Sequence, residues 1–348
     1  MKSLRIFLSQ NLGVLLAIAM FAVLYAFYVS QYPNWGMNVV LQNGNETLAL
    51  ILVGMAQTMA VIVGGLDLSV GPLMTLTNCF GSIVMAGTGG SIVAGIVACM
   101  ALGTFCGFMN GCIIVYGRIQ PIIATLATGA IFLGLALLLR PSPGGSIDGD
   151  FAWAFTNDIN ELGLTYGWWE DLGFFGQIPL QPIYLILIVV CVWIPYKRSV
   201  TGRGAYAIGS NPHAAYMSGV RMDRSKIAAF TLAGFFAGCA GIYLTMQMGS
   251  GNADAPQAAE YTLRSIATVV IGGTSLYGGT GGVIGTIFGA LVLRSISFIF
   301  RVVPESAPLG FVASPLLQPF FEGLILLVAV SLGAARVFRV KNRLSLFS

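Results

Sequence analysis

The sequence predicts an all-α integral membrane protein of about ten transmembrane helices, and three observations carry that prediction. Its 348 residues are 56% hydrophobic and only 9% charged, with a mean hydropathy of +0.84, whereas soluble domains run near 25% charged. The apolar residues fall in runs long enough to cross a bilayer, which takes about 20 residues of helix. The 45 glycines and 14 prolines sit inside or beside those runs, where close helix packing and interrupted helices use them.

Ten runs qualify: 11–30, 46–64, 70–88, 91–115, 120–139, 178–196, 226–247, 261–275, 281–300 and 315–334. The first is flanked by Lys2 and Arg5 and has no small-residue cleavage site before Tyr32, so it reads as a signal anchor. The second ends in Gly64-Gly65-Leu66-Asp67-Leu68-Ser69-Val70-Gly71-Pro72, which runs into the third. Paired glycines permit close approaches, Asp67 and Ser69 are suited to cap the next helix, and Pro72 suits its first turn. That chemistry fits a tight, well-capped turn and equally a constriction that opens and shuts a pore. Gln120 and Pro121 open the fifth run; Gln120, Thr125 and Thr128 fall at helical spacing and would line a polar path, or pack between helices as membrane Ser and Thr commonly do.

Between the fifth and sixth runs lies a 140–181 loop carrying Asp148, Asp150, Asp158, Glu161, Glu170 and Asp171, with no Lys or Arg from Pro141 to Gln181. Its Trp153, Trp168 and Trp169 suit a membrane boundary or a partner contact. Between the sixth and seventh runs, the 197–226 loop is basic. Within it Asn211 is a good N-cap, Pro212 a good first helical residue and Gly219 a good stop, which predicts a short helix over 212–218. Ala215, Met217 and Val220 would form its apolar face, covered by a protein partner or by anionic lipid. The segment 271–286 is rich in glycine pairs but lacks the Lys and the strand context of a phosphate loop. Gly281, Gly285 and Gly289 instead have the small-xxx-small spacing that lets the ninth run press on a neighbour. Arg294 lies near mid-depth in that run and requires a partner; Glu322 in the tenth is the best-placed acid, and the pair would lock two helices or serve transport.

Charge orients the whole. Thirteen of the 17 basic residues (Lys2, Arg5, Arg118, Lys197, Arg198, Arg203, Arg221, Arg224, Lys226, Arg336, Arg339, Lys341, Arg343) fall on one face of a ten-span arrangement, opposite the acidic loop. The positive-inside rule then puts both termini in the cytoplasm and the acidic loop outside. The net charge of +4 records this topology and points to no nucleic acid.

Several function classes recede. No GxxxxGK[ST] appears, so any ATP is hydrolysed elsewhere. The single histidine, His213, leaves no metal cluster or Ser-His-Asp arrangement built on several histidines. The six cysteines lie in apolar stretches without paired spacing and read as small apolar side chains. An ion-coupled secondary sugar carrier would show a relay of acids at mid-depth, whereas the acids here are few, Glu46 and Asp67 near the ends of the second run and Glu322 in the tenth, with Arg294 in the ninth.

VGGLDLSVGP, QPIIATLAT, GRGAYAIGSNPHAAYMSGV and VIGGTSLYGGTGGVIGT occur in the order and spacing seen in permease subunits of ribose-type sugar ABC importers, which the chain resembles over nearly its whole length. The resemblance implies a single permease domain over 1–348 with the vitamin B12-importer-like (type II) fold, in a bacterial inner membrane. It implies a second permease subunit, identical or related, cytoplasmic ATPase subunits that hold ATP and Mg, and a periplasmic sugar-binding protein, with no cofactor on this chain. By the same resemblance Arg203, Gly204, Asn211, Pro212, Ala214, Ala215, Ser218 and Gly219 would belong to the segment that couples to the ATPase. Gly64, Gly65, Asp67, Ser69, Gln120, Pro121, Thr125 and Thr128 would form the cytoplasmic gate and pathway. A permease for nucleosides or another small polar solute would share this fold and energy source. The 140–181 loop is long for the family.

Overall fold

A computed structural model describes residues 12–302 other than 33, 34 and 88, with isolated positions between 317 and 327. Most of the tenth run, Glu322 among it, and the basic residues of both terminal segments lie outside the described residues. Among the described residues there are helices and two isolated β-bridges, with no strand. The chain is an all-α membrane protein. Its first five helices are α1 (Leu12–Gln31), α2 (Met37–Ile62), α3 (Val70–Val84), α4 (Gly90–Tyr116) and α5 (Pro121–Leu139). Two short helices follow, α6 (Gly149–Thr156) and α7 (Ile159–Tyr166), then α8 (Leu180–Arg198), whose middle turn Val189–Trp193 is π-helical. After α9 (Val200–Ser210) and α10 (Pro212–Met217) come α11 (Met222–Met248), α12 (Ala255–Ile271) and α13 (Val283–Val302).

Helices α2 and α11 form the middle of the bundle. Nearly every side chain of α2 from Thr47 onward is buried, and α3, α4, α12 and α13 pack around the pair. The most extensive packing is between α4 and α11, and glycine makes it possible. A Cβ on Gly103 would lie 2.6 Å from the Gly234 carbonyl, and one on Gly107 would lie 2.8 Å from the Gly234 Cα. This Gly103-Gly107-Gly111 series is the small-xxx-small device of membrane helices, and it was open to reading in the sequence. The spacing that was read, in α13, also packs as expected: Gly285 meets Gly272 and Gly289 meets Thr268, while Gly281 belongs to the preceding loop.

Helix boundaries depart from the sequence expectation in two instructive places. α2 begins at Met37, because Asn45 and Glu46 interrupt the apolar run yet find partners across the bundle. Gln181 donates to Asn45 Oδ1 at 2.5 Å, Tyr243 donates to the same atom, and Arg301 reaches both Glu46 oxygens at 2.7 and 2.8 Å. The second departure concerns α3 and α12, with 15 and 17 residues. Rising 1.5 Å per residue they extend about 22 and 26 Å, short of a hydrocarbon core of about 30 Å. Seven other described helices are long and apolar enough to cross. The N-terminus of α3 is sunk into the bundle, since the Gly71 N–H donates to Thr262 Oγ1 in the body of α12 at 3.2 Å. Its C-terminus is closed by Arg140 at the end of α5, which donates to Ser82 Oγ at 2.9 Å and to the Ser82 carbonyl at 3.1 Å.

Contacts sort the connections between helices to two ends of the bundle. At one end the Gly279 N–H donates to the Ile62 carbonyl at 3.0 Å, joining the 63–69 turn to the 272–282 loop. At the other, Gly144 and Gly251 exchange backbone hydrogen bonds of 3.0 and 2.9 Å. The first end carries Arg118, Lys197, Arg198, Arg203, Arg221, Arg224 and Lys226; the second carries all six acids of the 140–181 loop. Two of those acids are structural, Asp148 capping α6 through the Phe151 N–H and Asp158 capping α7 through the Glu161 N–H.

Candidate functional site

At the basic end five segments far apart in sequence converge on one small cavity of about 260 Å³. Val63 and Gly64 of the α2–α3 turn, Ile114 and Pro121, Ile208, Gly209 and Pro212 from the α9–α10 corner, and Lys226, Phe230 and Tyr277 line it. The turn itself is well fixed. Gly64 sits at φ +79°, and the N–H groups of Gly64 and Gly65 donate back to the carbonyls of Val61 and Ala60, closing α2. Gly65 lies against Pro121.

Behind the turn lies a buried polar knot. Asp67 and Ser69 are both buried, and Asp67 Oδ1 accepts from the Ser69 N–H at 2.8 Å and from the Ser69 hydroxyl at 2.6 Å. Asn110 of α4 donates to Ser69 Oγ at 2.8 Å, and Thr125 of α5 accepts from the Leu68 N–H at 2.9 Å. With its amide turned to suit the network, Gln57 of α2 brackets the Asp67 backbone. The expectation that Ser69 caps α3 through its side chain is not met. Its hydroxyl serves Asp67 and Asn110 instead, and Thr262 satisfies the first turn of α3 from a neighbouring helix. Burial explains the substitution, because unpaired backbone donors there have no water to turn to.

Gln120 and Pro121 start α5 as expected, with Gln120 exposed at the N-cap position and Pro121 at N1. Thr125 and Thr128 are turned inward: Thr125 donates to the Pro121 carbonyl at 2.8 Å, and Thr128 is 3.4 Å from the Thr125 carbonyl. The face that α5 exposes is apolar and includes Ile123, Leu126, Ile131 and Leu138. The Thr125 hydroxyl therefore braces the turn, and that of Thr128 faces its own helix.

Helix α10 lies close to where capping put it. Asn211 Oδ1 accepts from the Ala214 N–H at 3.1 Å, Pro212 takes N1, and Gly219 at φ +75° closes the end. Of its expected apolar face only Ala215 is buried, while Tyr216 and Met217 are 69% and 72% exposed. The helix thus projects two large side chains away from the bundle. Sequence reasoning did not separate α9, an 11-residue helix with Ser199 as N-cap. Arg203 is exposed on it, Gly204 packs against Ser225, and Gly209 abuts the Ile62 carbonyl and the Gly279 amide. Three glycines within that helix were the readable sign of close backbone contact. Tyr206 adds a hydrogen bond of 2.8 Å to the Gly281 carbonyl.

Arg294 is 9% exposed on α13, and its Nε has no hydrogen-bond partner among the described residues. Its expected partner, Glu322, lies outside them. The ion pair tying α13 to α2 is Arg301 with Glu46.

Comparison with known proteins places this arrangement. The family model described as "Branched-chain amino acid transport system / permease component" matches residues 40–330. The ribose import permease protein RbsC of Bacillus subtilis is 33% identical over 81% of this chain and 80% of its own length. The fructose import permease protein FrcC of Rhizobium meliloti is 28% identical over 95% of this chain and 88% of its own. The D-allose transport system permease protein AlsC of Escherichia coli is 28% identical over 79% and 80%. No solved structure matches.

Proposed function

The chain belongs to the branched-chain amino acid transport system / permease component family, and on that premise we propose that it is the membrane-spanning subunit of an ATP-driven sugar importer. It is a transport subunit and not an enzyme. The cargo would be a pentose, a hexose or a related polyol, in keeping with relatives named for ribose, allose and fructose. ATP and Mg would bind on partner ATPase subunits in the cytoplasm, a second permease subunit would complete the path, and a periplasmic binding protein would deliver sugar. The basic end of the bundle would face the cytoplasm of a bacterial inner membrane.

The observation that carries this reading is the convergence at the basic end. α10 projects Tyr216 and Met217 outward, and a single residue, Asn211, joins it to α9. Through Gly209, α9 abuts the turn after α2 and the loop before α13. A partner that moves α10 would therefore move the bases of α3 and α12, the two helices too short to span. Short or interrupted helices in corresponding positions mark the moving parts of transporters, and packed helices shift as rigid bodies between discrete arrangements. The buried Asp67, Ser69, Asn110 and Thr125 knot would keep the α3 base a single unit during that motion. Arg294 and Glu322 would form a structural pair that locks α13 to the tenth span.

The test is reconstitution with a partner ATPase and a periplasmic sugar-binding protein. Sugar uptake should require ATP and all three components, and replacing Tyr216 and Met217 by Ser together should abolish ATPase docking while leaving the chain inserted. Docking and uptake that survive the double replacement would remove α10 from the coupling path.

A further inference from the structure

Beside the coupling corner, at the end of α8, an open groove of about 590 Å³ is lined by Trp193, Ile194, Lys197, Arg198, Arg203 and Ile284. Three of these six are cations and none is an acid. No hydrogen bond or ion pair engages the three cationic side chains among the described residues. α9 begins between Arg198 and Arg203, so the positive end of its dipole adds to their field. The floor is apolar: Trp193 is buried under the groove and Ile284 closes its far side. From there an exposed apolar stripe, Ile183, Leu187 and Val190, follows one face of α8 toward the middle of the span.

We propose that this groove binds an anionic phospholipid, its phosphate held by Lys197, Arg198 and Arg203 and one acyl chain lying along the α8 stripe. A charged recess that opens onto a lipid-depth apolar stripe matches a molecule with an anionic head and an apolar tail, and no soluble anion uses the second half. Lys197 and Arg198 close the last turn of a span, which sets the recess at headgroup depth. The chain's own ends are poor occupants, since residues 1–11 and 336–348 carry six bases between them and no acid.

The test reconstitutes the full chain in phosphatidylcholine bilayers containing a minor fraction of either phosphatidylglycerol or phosphatidylcholine with brominated acyl chains. Bromine quenches indole on contact, and the Trp193 component is the difference from a Trp193→Phe chain. The brominated phosphatidylglycerol should quench that component more strongly at equal mole fraction, and the excess should fall about fivefold for each of Lys197→Gln, Arg198→Gln and Arg203→Gln. Arg203→Gln, on the exposed first turn of α9, keeps the test valid should either substitution at the end of α8 misfold the chain. Equal quenching by the two lipids, or an excess that survives the substitutions, would overturn the proposal. So would loss of the excess on adding inorganic phosphate, which would make the groove a soluble-anion site.

Discussion

Gly209 has no room for a side chain, because a Cβ there would run into the Ile62 carbonyl and the Gly279 amide. Both obstacles are backbone and cannot rotate away. Gly209→Val is therefore expected to lower the melting temperature of the purified chain and to abolish uptake. Gly219→Ala is the contrasting case. Its Cβ meets nothing within 4 Å, and only φ +75° opposes it, a strain of roughly 1–2 kcal/mol confined to α10. Asn211→Ala should cost α10 about 1 kcal/mol through its lost cap, seen as faster amide exchange over 212–217 with insertion unchanged. These capping residues were legible in the sequence because a cap is a local bargain between neighbours along the chain. Ser69 was misread for the opposite reason: its partners, Asp67 and Asn110, depend on which helix comes alongside.

Among helices, the α4–α11 packing is the most extensive, and Gly107 lies within it. Gly107→Leu would insert a side chain against the Phe230 carbonyl and the Gly234 Cα and should destabilise the isolated chain by at least 1–3 kcal/mol, the usual scale of overpacking. Gly134→Leu on the open face of α5 meets nothing within 4 Å and should leave thermal stability within about 0.5 kcal/mol. A comparison of the two melting curves checks the crossing directly. Glu46→Gln, by contrast, should cost well under 1 kcal/mol, since Arg301 is about half exposed and solvent screens the pair. Hydropathy located the helices because apolar length is written in the sequence one residue at a time. It lost the first turns of α2 because Asn45 and Glu46 look like loop residues until α8, α11 and α13 supply their partners. It also overran α3 at its C-terminal end, because Met85 and Ala86 carry the apolar run past the last helical turn.

For the whole molecule, charge proved the most legible feature, since the described bases of the loops and the acids of 140–181 do fall at opposite ends. The proposed orientation makes a direct prediction: a thiol reagent that cannot cross the membrane should label Trp168→Cys in intact cells and should reach Tyr216→Cys only after the membrane is opened. Both side chains are exposed, so accessibility within the fold does not confuse the result. The convergence of α10, α9 and the two glycine loops was not legible in the sequence. Four motifs could be seen one by one, but their meeting at a single cavity depends on the path of every helix between them. The most direct test of the central claim is uptake of labelled ribose, allose and fructose by vesicles holding this chain with its ATPase and binding protein, supplied with ATP while an uncoupler collapses the proton gradient. The account predicts that one of these sugars accumulates, that uptake stops when the ATPase is omitted, and that the uncoupler has no effect. Uptake that persists without the ATPase and vanishes with the proton gradient would contradict it.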